Sequence, residues 1–380
     1  QPPIKNGIVE VDDNGAILRV VNPGNNFKEI HSTEFHNGII VPGFVNAHCH
    51  LELSHLLGKL PEKLGIVGFI KAVADFRNID FPNVVRAIEH SILELENTGT
   101  VAVGDICNTT DTLQVKAKSK IHFHNFIEVF GINPASANAI LENSQVQSIL
   151  FKKYFQNSTS ITPHATYSLS EKLWGILKNY IDENDALLSI HFAEGLPEYE
   201  FLKNGTGPLL GRYKQLNIPF EAASGQTPSS IAMNHINTNR DLLLIHNTFA
   251  GIEELKWLNG HFRKVTFVTC PESNLYIEGK LPDLQSMLEN GLRMAIGTDS
   301  LASATTLNML YHINLILNNF PAIPFGEILR WATLNGADAL KVSHKYGSIE
   351  VGKQPGLNLI TNFDFANMRP QPNSAVKRLV

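Results

Sequence analysis

What most limits the folds open to this chain is a regular alternation, through its middle, of short apolar runs with longer amphipathic ones. The apolar runs lie at 39–47, 101–106, 121–130, 159–164, 187–192, 242–246, 265–269 and 293–297, and have the length and β-branched content of buried strands. Segments with helical spacing at 84–96, 137–155, 171–183, 252–258, 284–290 and 307–318 fall between or after them. Eight β/α units predict an α/β fold, a closed (β/α)8 TIM-like barrel. An open doubly wound sheet fits the alternation nearly as well. The position of the polar residues favours the barrel.

The two ends differ from the middle. Residues to about 40 alternate apolar and polar, with Asp12-Asp13-Asn14-Gly15 as a hairpin turn. The stretch Tyr346 to Gly352 and the run Leu357-Asn358-Leu359-Ile360 have the same character. These predict one small β-sandwich domain assembled from 1–40 and 346–380, beside a barrel over 41–345. Because Pro2 to Val11 reads as a strand entered midway, a short strand is expected to precede it. Composition matters only for what it excludes. With 43% hydrophobic residues in 380 and a net charge of -5, the chain is globular, neither a nucleic-acid sleeve nor a membrane-surface binder. No apolar run reaches the roughly 18 residues a bilayer span needs, and no signal-peptide pattern opens the chain. Cys49, Cys107 and Cys270 are too widely spaced for a disulfide framework or a CxxC site, so a cytoplasmic home is expected.

Reactive side chains stand at five strand ends: His48 and His50, His164, His191 with Glu194, His246, and Asp299. That placement is characteristic of a barrel enzyme. On a strand, residues i and i+2 share a face, so His48 and His50 enter the barrel mouth together while Cys49 turns to the helices. An HxH alone is weak and fits two hydrogen-bonded histidines equally well. His191 alone reads as a core histidine, and Asp299 alone as a helix cap near Ser300 and Ser303. Together the four make an N3O donor set suited to one divalent metal, Zn²⁺ first and Fe²⁺ second. Glu194 can lean over the metal as a proton shuttle, and His246 can orient a water. Cys107, Cys270 and the remaining histidines read as packing or surface residues.

The runs Val41-Pro42-Gly43-Phe44-Val45-Asn46-Ala47-His48-Cys49-His50, Pro163-His164-Ala165-Thr166-Tyr167-Ser168, His191-Phe192-Ala193-Glu194, Cys270-Pro271-Glu272-Ser273-Asn274-Leu275 and Gly297-Thr298-Asp299-Ser300-Leu301-Ala302-Ser303 resemble, in order, the motifs of amidohydrolase-superfamily deaminases. The branch is the cytosine/adenosine type that includes S-adenosylhomocysteine, guanine and aminodeoxyfutalosine deaminases. The resemblance covers nearly the whole chain. It implies one metal on His48, His50, His191 and Asp299, with Glu194 as shuttle, and His246 and Asp299 holding the attacking water. The fourth strand end lacks the lysine that bridges two metals in binuclear relatives. The implied reaction replaces a ring amino group with oxygen and releases ammonia.

His164 stands where purine-type relatives contact substrate, which favours an aminopurine or its nucleoside. Leu51-Glu52-Leu53-Ser54 resembles the aminodeoxyfutalosine group; Glu52 would grip a ribose and Arg77 a carboxylate, with Ser303 a further candidate contact. One departure is Thr166, where the related PHAPY motif has its second proline. The rival readings are a cytosine- or guanine-type base deaminase, a chlorohydrolase or amide hydrolase on the same scaffold, and an inactive scaffold. The expected partners are a small-molecule substrate and water, with a homodimer as a candidate assembly.

Overall fold

The computed structural model of the protein describes residues 3–24, 32–77, 81–184, 186–219 and 225–380. Residues 1–2 and 25–31 of the expected N-terminal β unit lie outside the described residues. The chain opens with β1 (Ile8–Val11), β2 (Ile17–Val21) and β3 (Ile39–Pro42). Eight strands then alternate with helices: β4 (Phe44–Cys49), β5 (Thr100–Cys107), β6 (His122–Val129), β7 (Thr159–Pro163), β8 (Leu188–Phe192), β9 (Asp241–His246), β10 (Lys264–Thr269) and β11 (Met294–Ile296). It closes with β12 (Leu357–Ile360), β13 (Phe363–Asp364), β14 (Arg369–Pro370) and β15 (Val376–Arg378).

Strands β4 to β7 and β8 to β11 form two parallel four-stranded runs in sequence order. Two isolated parallel bridges, Ala165 with His191 and Cys49 with Asp299, join them into a ring. At the first seam His191 N–H donates to His164 O at 2.8 Å; at the second, Asp299 N–H donates to His48 O at 3.0 Å. Both seams therefore close at residues singled out for chemistry. Gly297 makes the second possible: a Cβ there would lie 2.8 Å from His48 Cβ and 2.9 Å from His48 O. Every residue of β4, β5, β7 and β8 is buried, as both faces of a barrel strand require.

The first predicted strand, 39–47, is two strands. The break falls at Gly43, where a Cβ would sit 2.3 Å from Val101 Cγ1 and 2.6 Å from Pro355 O. Before it, β3 leaves the barrel and pairs antiparallel with β12, which pairs in turn with β15. Ile17 N–H donates to Lys353 O at 2.8 Å and Gly352 N–H to Ile17 O at 2.9 Å, so the two chain ends are bonded together. Buried Asn358 ties this sheet to the barrel through Gly99 O at 2.8 Å.

The six predicted helices are present, as Phe81–Asn97, Ala137–Phe155, Glu171–Glu183, Ile252–His261, Leu284–Glu289 and Met309–Asn319. Glu171–Glu183 shows how they pack. Ser170 caps it by accepting Leu173 N–H at 3.3 Å, and Leu173, Trp174, Leu177 and Ile181 enter one apolar cluster with Leu188, Ile190 and Phe192 of β8. Each such side chain contributes roughly 1.5–3 kcal/mol on burial. Helices at Leu196–Asn204, Gly207–Gln215, Pro228–His235 and Pro271–Glu278 were not expected. Each carries proline in its first turn, which reads as a loop in sequence yet suits a helix start. Among the described residues no helix is long and apolar enough to cross a membrane.

Candidate active site

The barrel mouth gathers the residues that the sequence placed at strand ends. His48 Nε2 and His50 Nε2 lie 3.1 Å apart, and His50 Nε2 lies 3.3 Å from His191 Nε2. Asp299 Oδ1 is 3.4 Å from His50 Nε2 and 3.7 Å from His48 Nε2. His48, His50 and Asp299 thus form one cluster of potential metal donors, and His48, His191 and His246 form a second that shares His48. All four side chains are buried. Cys49 turns to the helix side, packed with Val84, Ile88 and Ile92.

Backbone conformation helps aim the side chains. Ala193, His246 and Asp299 have φ of 48°, 71° and 60°. Left-handed backbone is costly for non-glycine residues and persists where the surroundings enforce it, often at functional sites.

His191, His246 and the Asp299 carboxylate have partners on their outer sides. His191 Nδ1 lies 2.9 Å from His164 O and 3.3 Å from Glu128 Oε1. Both acceptors place an N–H at Nδ1 and turn Nε2 to the centre; burial lowers the ring but Glu128 outweighs it and raises it to about 9, so an ion binding at Nε2 displaces a proton. Asp299 Oδ2 accepts Ser273 Oγ at 2.6 Å and Ser303 Oγ at 3.1 Å, which turns Oδ1 to the histidines. His246 Nδ1 bonds Asn274 Oδ1 at 2.8 Å. Its Nε2 has no hydrogen-bond partner and lies 3.5 Å from Glu194 Oε1.

The electrostatics follow from burial. Desolvation and the neighbouring rings hold His48 well below its ordinary value, so it stays neutral, as a metal ligand must. Burial pushes Asp299 up, but His50, His246 and the Ser273 hydroxyl hold it below its usual value. Burial lowers His246 to about 4. It raises Glu194 to about 8, with repulsion from Asp299, Glu278 and Glu128 adding to the shift. A carboxyl so placed can carry a proton at neutral pH.

The candidate substrate contacts are divided. His164 is in the mouth, its ring centroid 4.7 Å from that of His191, with Nδ1 3.1 Å from Ser168 Oγ. Burial lowers it to about 4 against the pull of Glu128. Glu52 Oε2 accepts the backbone N–H of Asn108 at 2.8 Å and of Thr109 at 3.0 Å, so half of its carboxylate holds a loop. Its Oε1 is 3.8 Å from Arg77 Nη2, which pairs the two residues outside the ring of histidines. Ser303 is bonded to Asp299. Sequence reasoning missed Glu128, Ser273, Asn274 and Glu198. Ser273 and Asn274 stood inside a quoted motif without a role. Glu128 was findable as the acidic residue near the end of 121–130, one of two early strands left without chemistry.

An amidohydrolase family model matches residues 39–376. The aminodeoxyfutalosine deaminase of a Nitratiruptor species is 28% identical over 85% of this chain and 79% of its own length. The structure of Helicobacter pylori aminofutalosine deaminase in complex with methylthio-coformycin matches with a TM-score of 0.83 at 23% identity, covering 97% of this chain and 94% of that one. An adenosine deaminase from Xanthomonas campestris with bound zinc matches with a TM-score of 0.72 at 23% identity, over 97% and 82%. At such identities the structural likeness speaks for the barrel fold, whereas the family match spans most of the sequence and all five quoted motifs. The chain belongs to the amidohydrolase family.

Proposed function

We propose that this protein is a hydrolytic deaminase of aminopurine nucleosides, of the adenosine or aminodeoxyfutalosine kind, with one Zn²⁺ held by His48, His50, His191 and Asp299. The observation that carries the reading is the gathering of His48, His50 and Asp299, with His191 Nε2 3.3 Å from His50 Nε2, beside the buried Glu194 carboxyl. The donor set fits the ion. Imidazole nitrogens 3.1 and 3.3 Å apart can share a proton only pairwise, and His246 Nε2, on a ring grouped with His48 and His191, is buried without a partner. Zinc takes N3O sets, and Fe²⁺ is the second choice. Bound there, a divalent ion supplies Lewis acidity that makes water a nucleophile near neutral pH.

The chain's own residues do the rest. Asp299, fixed by Ser273 and Ser303, accepts a hydrogen bond from the attacking water. His246 Nε2, with its proton fixed on Nδ1 by Asn274, orients that water. Water oxygen bonds to the amino-bearing ring carbon as Glu194 moves a proton to the adjacent ring nitrogen. The C–N bond then breaks, and a second proton transfer through Glu194 lets the nitrogen leave as ammonia. His164 contacts the substrate across from the metal ligands, with Glu52 and Arg77 at the outer edge for ribose or a carboxylate.

Residues 1–40 and 346–380 we read as one β-sandwich domain beside a 41–345 barrel; the β3–β12 pairing and the bonds at Ile17 support it. Three free, buried cysteines suit a cytoplasmic home. Exposed Val146, Ile149 and Tyr154 on Ala137–Phe155 are the support for a homodimer. The test of the function is zinc content with ammonia release from adenosine, S-adenosylhomocysteine, aminodeoxyfutalosine and guanine. About one zinc per chain is expected, with turnover of at least one nucleoside. Chelation should abolish turnover and Zn²⁺ should restore it. Metal-free protein as purified, or activity indifferent to chelation, would sink the reading.

A further inference from the structure

Glu198 plays no part in the chemistry above, yet it is 1% exposed and both of its oxygens are engaged. Oε2 accepts the backbone N–H of Glu194 at 3.2 Å. Oε1 meets the hydroxyl of Thr166. Thr166 sits two residues beyond His164, in the loop after β7 that bridges to β8 through Ala165 and His191. One buried carboxylate therefore ties the loop bearing the substrate-facing histidine to the loop bearing Glu194. The tie falls where the backbone is least at ease. Ala193, just before Glu194, has φ 48°, left-handed backbone that is unfavourable for alanine and needs restraint from outside.

We infer that Thr166 and Glu198 are a positioning pair that fixes Glu194 against His246, so that the aim of the proton-moving carboxyl depends on the loop carrying His164. This rests on the reading of Glu194 given above. The plain alternative is that Glu198 only supports the first turn of Leu196–Asn204, whose cap, Gly195, has no side chain to do so. The two differ in where a loss would appear. A helix support protects the folded fraction. A positioning pair protects the rate per folded molecule, since misplacement by about 1 Å can cost on the order of 10²-fold.

The experiment uses the full chain loaded with zinc and compares Thr166→Val, Thr166→Ser, Glu198→Leu and Glu194→Gln. Ammonia release from adenosine and aminodeoxyfutalosine gives kcat and KM per zinc-loaded molecule. Hydrogen exchange of the 190–198 segment reports the Glu194 amide directly. Thr166→Val should lower kcat about 10- to 100-fold, leave KM within about threefold, keep zinc bound and speed the exchange. Thr166→Ser should restore kcat. If Thr166→Val does not fold, Glu198→Leu decides, since it offers no acceptor to either group. Wild-type kcat in the folded valine or leucine variant, or no rescue by serine, overturns the pair. Full turnover by Glu194→Gln overturns instead the role of Glu194, a distinguishable failure.

Discussion

Two buried polar clusters share this barrel, and they are built in opposite ways. Around Lys116, everything is matched. Its ammonium bonds Asp105, Asn125 Oδ1 at 2.8 Å and Cys107 Sγ at 3.2 Å, beneath the rings of Phe123 and Phe151. Asp105 Oδ1 accepts Leu51 N–H at 2.9 Å, and Asn125 Nδ2 donates to Ser158 O at 3.2 Å. Burial opposes the charge on Lys116, but Asp105 and Cys107 raise its pKa above the ordinary value. At the mouth, by contrast, acceptor-capable atoms face one another, and His48 Nδ1 and His246 Nε2 are buried without partners. A satisfied network holds a structure; a convergent, unsatisfied one is set up for something else to complete it. The clusters are also connected, since Leu51 follows His50 directly.

The largest effect that sharpens this contrast is at Glu194. Glu194→Gln keeps size and polarity but cannot take up the water proton. Since general acid–base groups typically contribute ~10²–10⁴-fold and this one acts twice per turnover, kcat should fall near 10⁴-fold or beyond. Zinc should remain bound, measured by metal analysis of the same sample. His246→Asn should cost less. A Glu194→Gln variant that is inactive only because its zinc is gone would make Glu194 a ligand or support instead.

The matched cluster should fail differently. Lys116→Met leaves Asp105 charged and unpaired, which costs about 3–5 kcal/mol when one partner of a buried pair is removed. Urea unfolding of the zinc-loaded protein checks this, and a second change, Asp105→Asn, should recover part of the loss. A cost below ~1 kcal/mol would erase the contrast between the clusters.

The mouth was legible in the sequence for a physical reason. Barrel topology puts every strand's C-terminal end on one face, so His48, His191, His246 and Asp299 could be brought together before any coordinates. The Lys116 cluster was not legible, because its members sit within strands, at one strand end and on a short helix, with no shared position to link them. Thr166 shows the same limit at close range. In sequence it is a missing proline; only the fold reveals Glu198, 32 residues on, against its hydroxyl. The first strand was misjudged because apolar character continues through 39–47, whereas the break depends on what Gly43 packs against, Val101 and Pro355.

The smallest expected effect concerns buried histidines that belong to neither cluster. His124 Nε2 lies 3.0 Å from Ser160 Oγ, and His312 Nε2 lies 3.0 Å from Thr306 O. Burial lowers His124 to about 3 and His312 to about 4. Both lie below the unfolded value near 6.5, so folding favours the neutral ring. Their contribution is whole above pH ~6.5 and is lost as pH falls toward the folded values. By linkage each ring should cost about 1 kcal/mol at pH 6 relative to pH 7.5. The Lys116 network should not respond in this window, because its ammonium stays charged throughout. Urea unfolding at both pH values, with zinc saturating so that ligand protonation does not intrude, measures the difference. Replacing both rings, as His124→Gln with His312→Gln, should remove their share, while His164 and His246, also lowered to about 4, keep theirs. An equal acid loss in that double variant would place the sensitivity at the mouth histidines outside the ligand set, His164 and His246, and the mouth would then be the acid-labile part of the barrel.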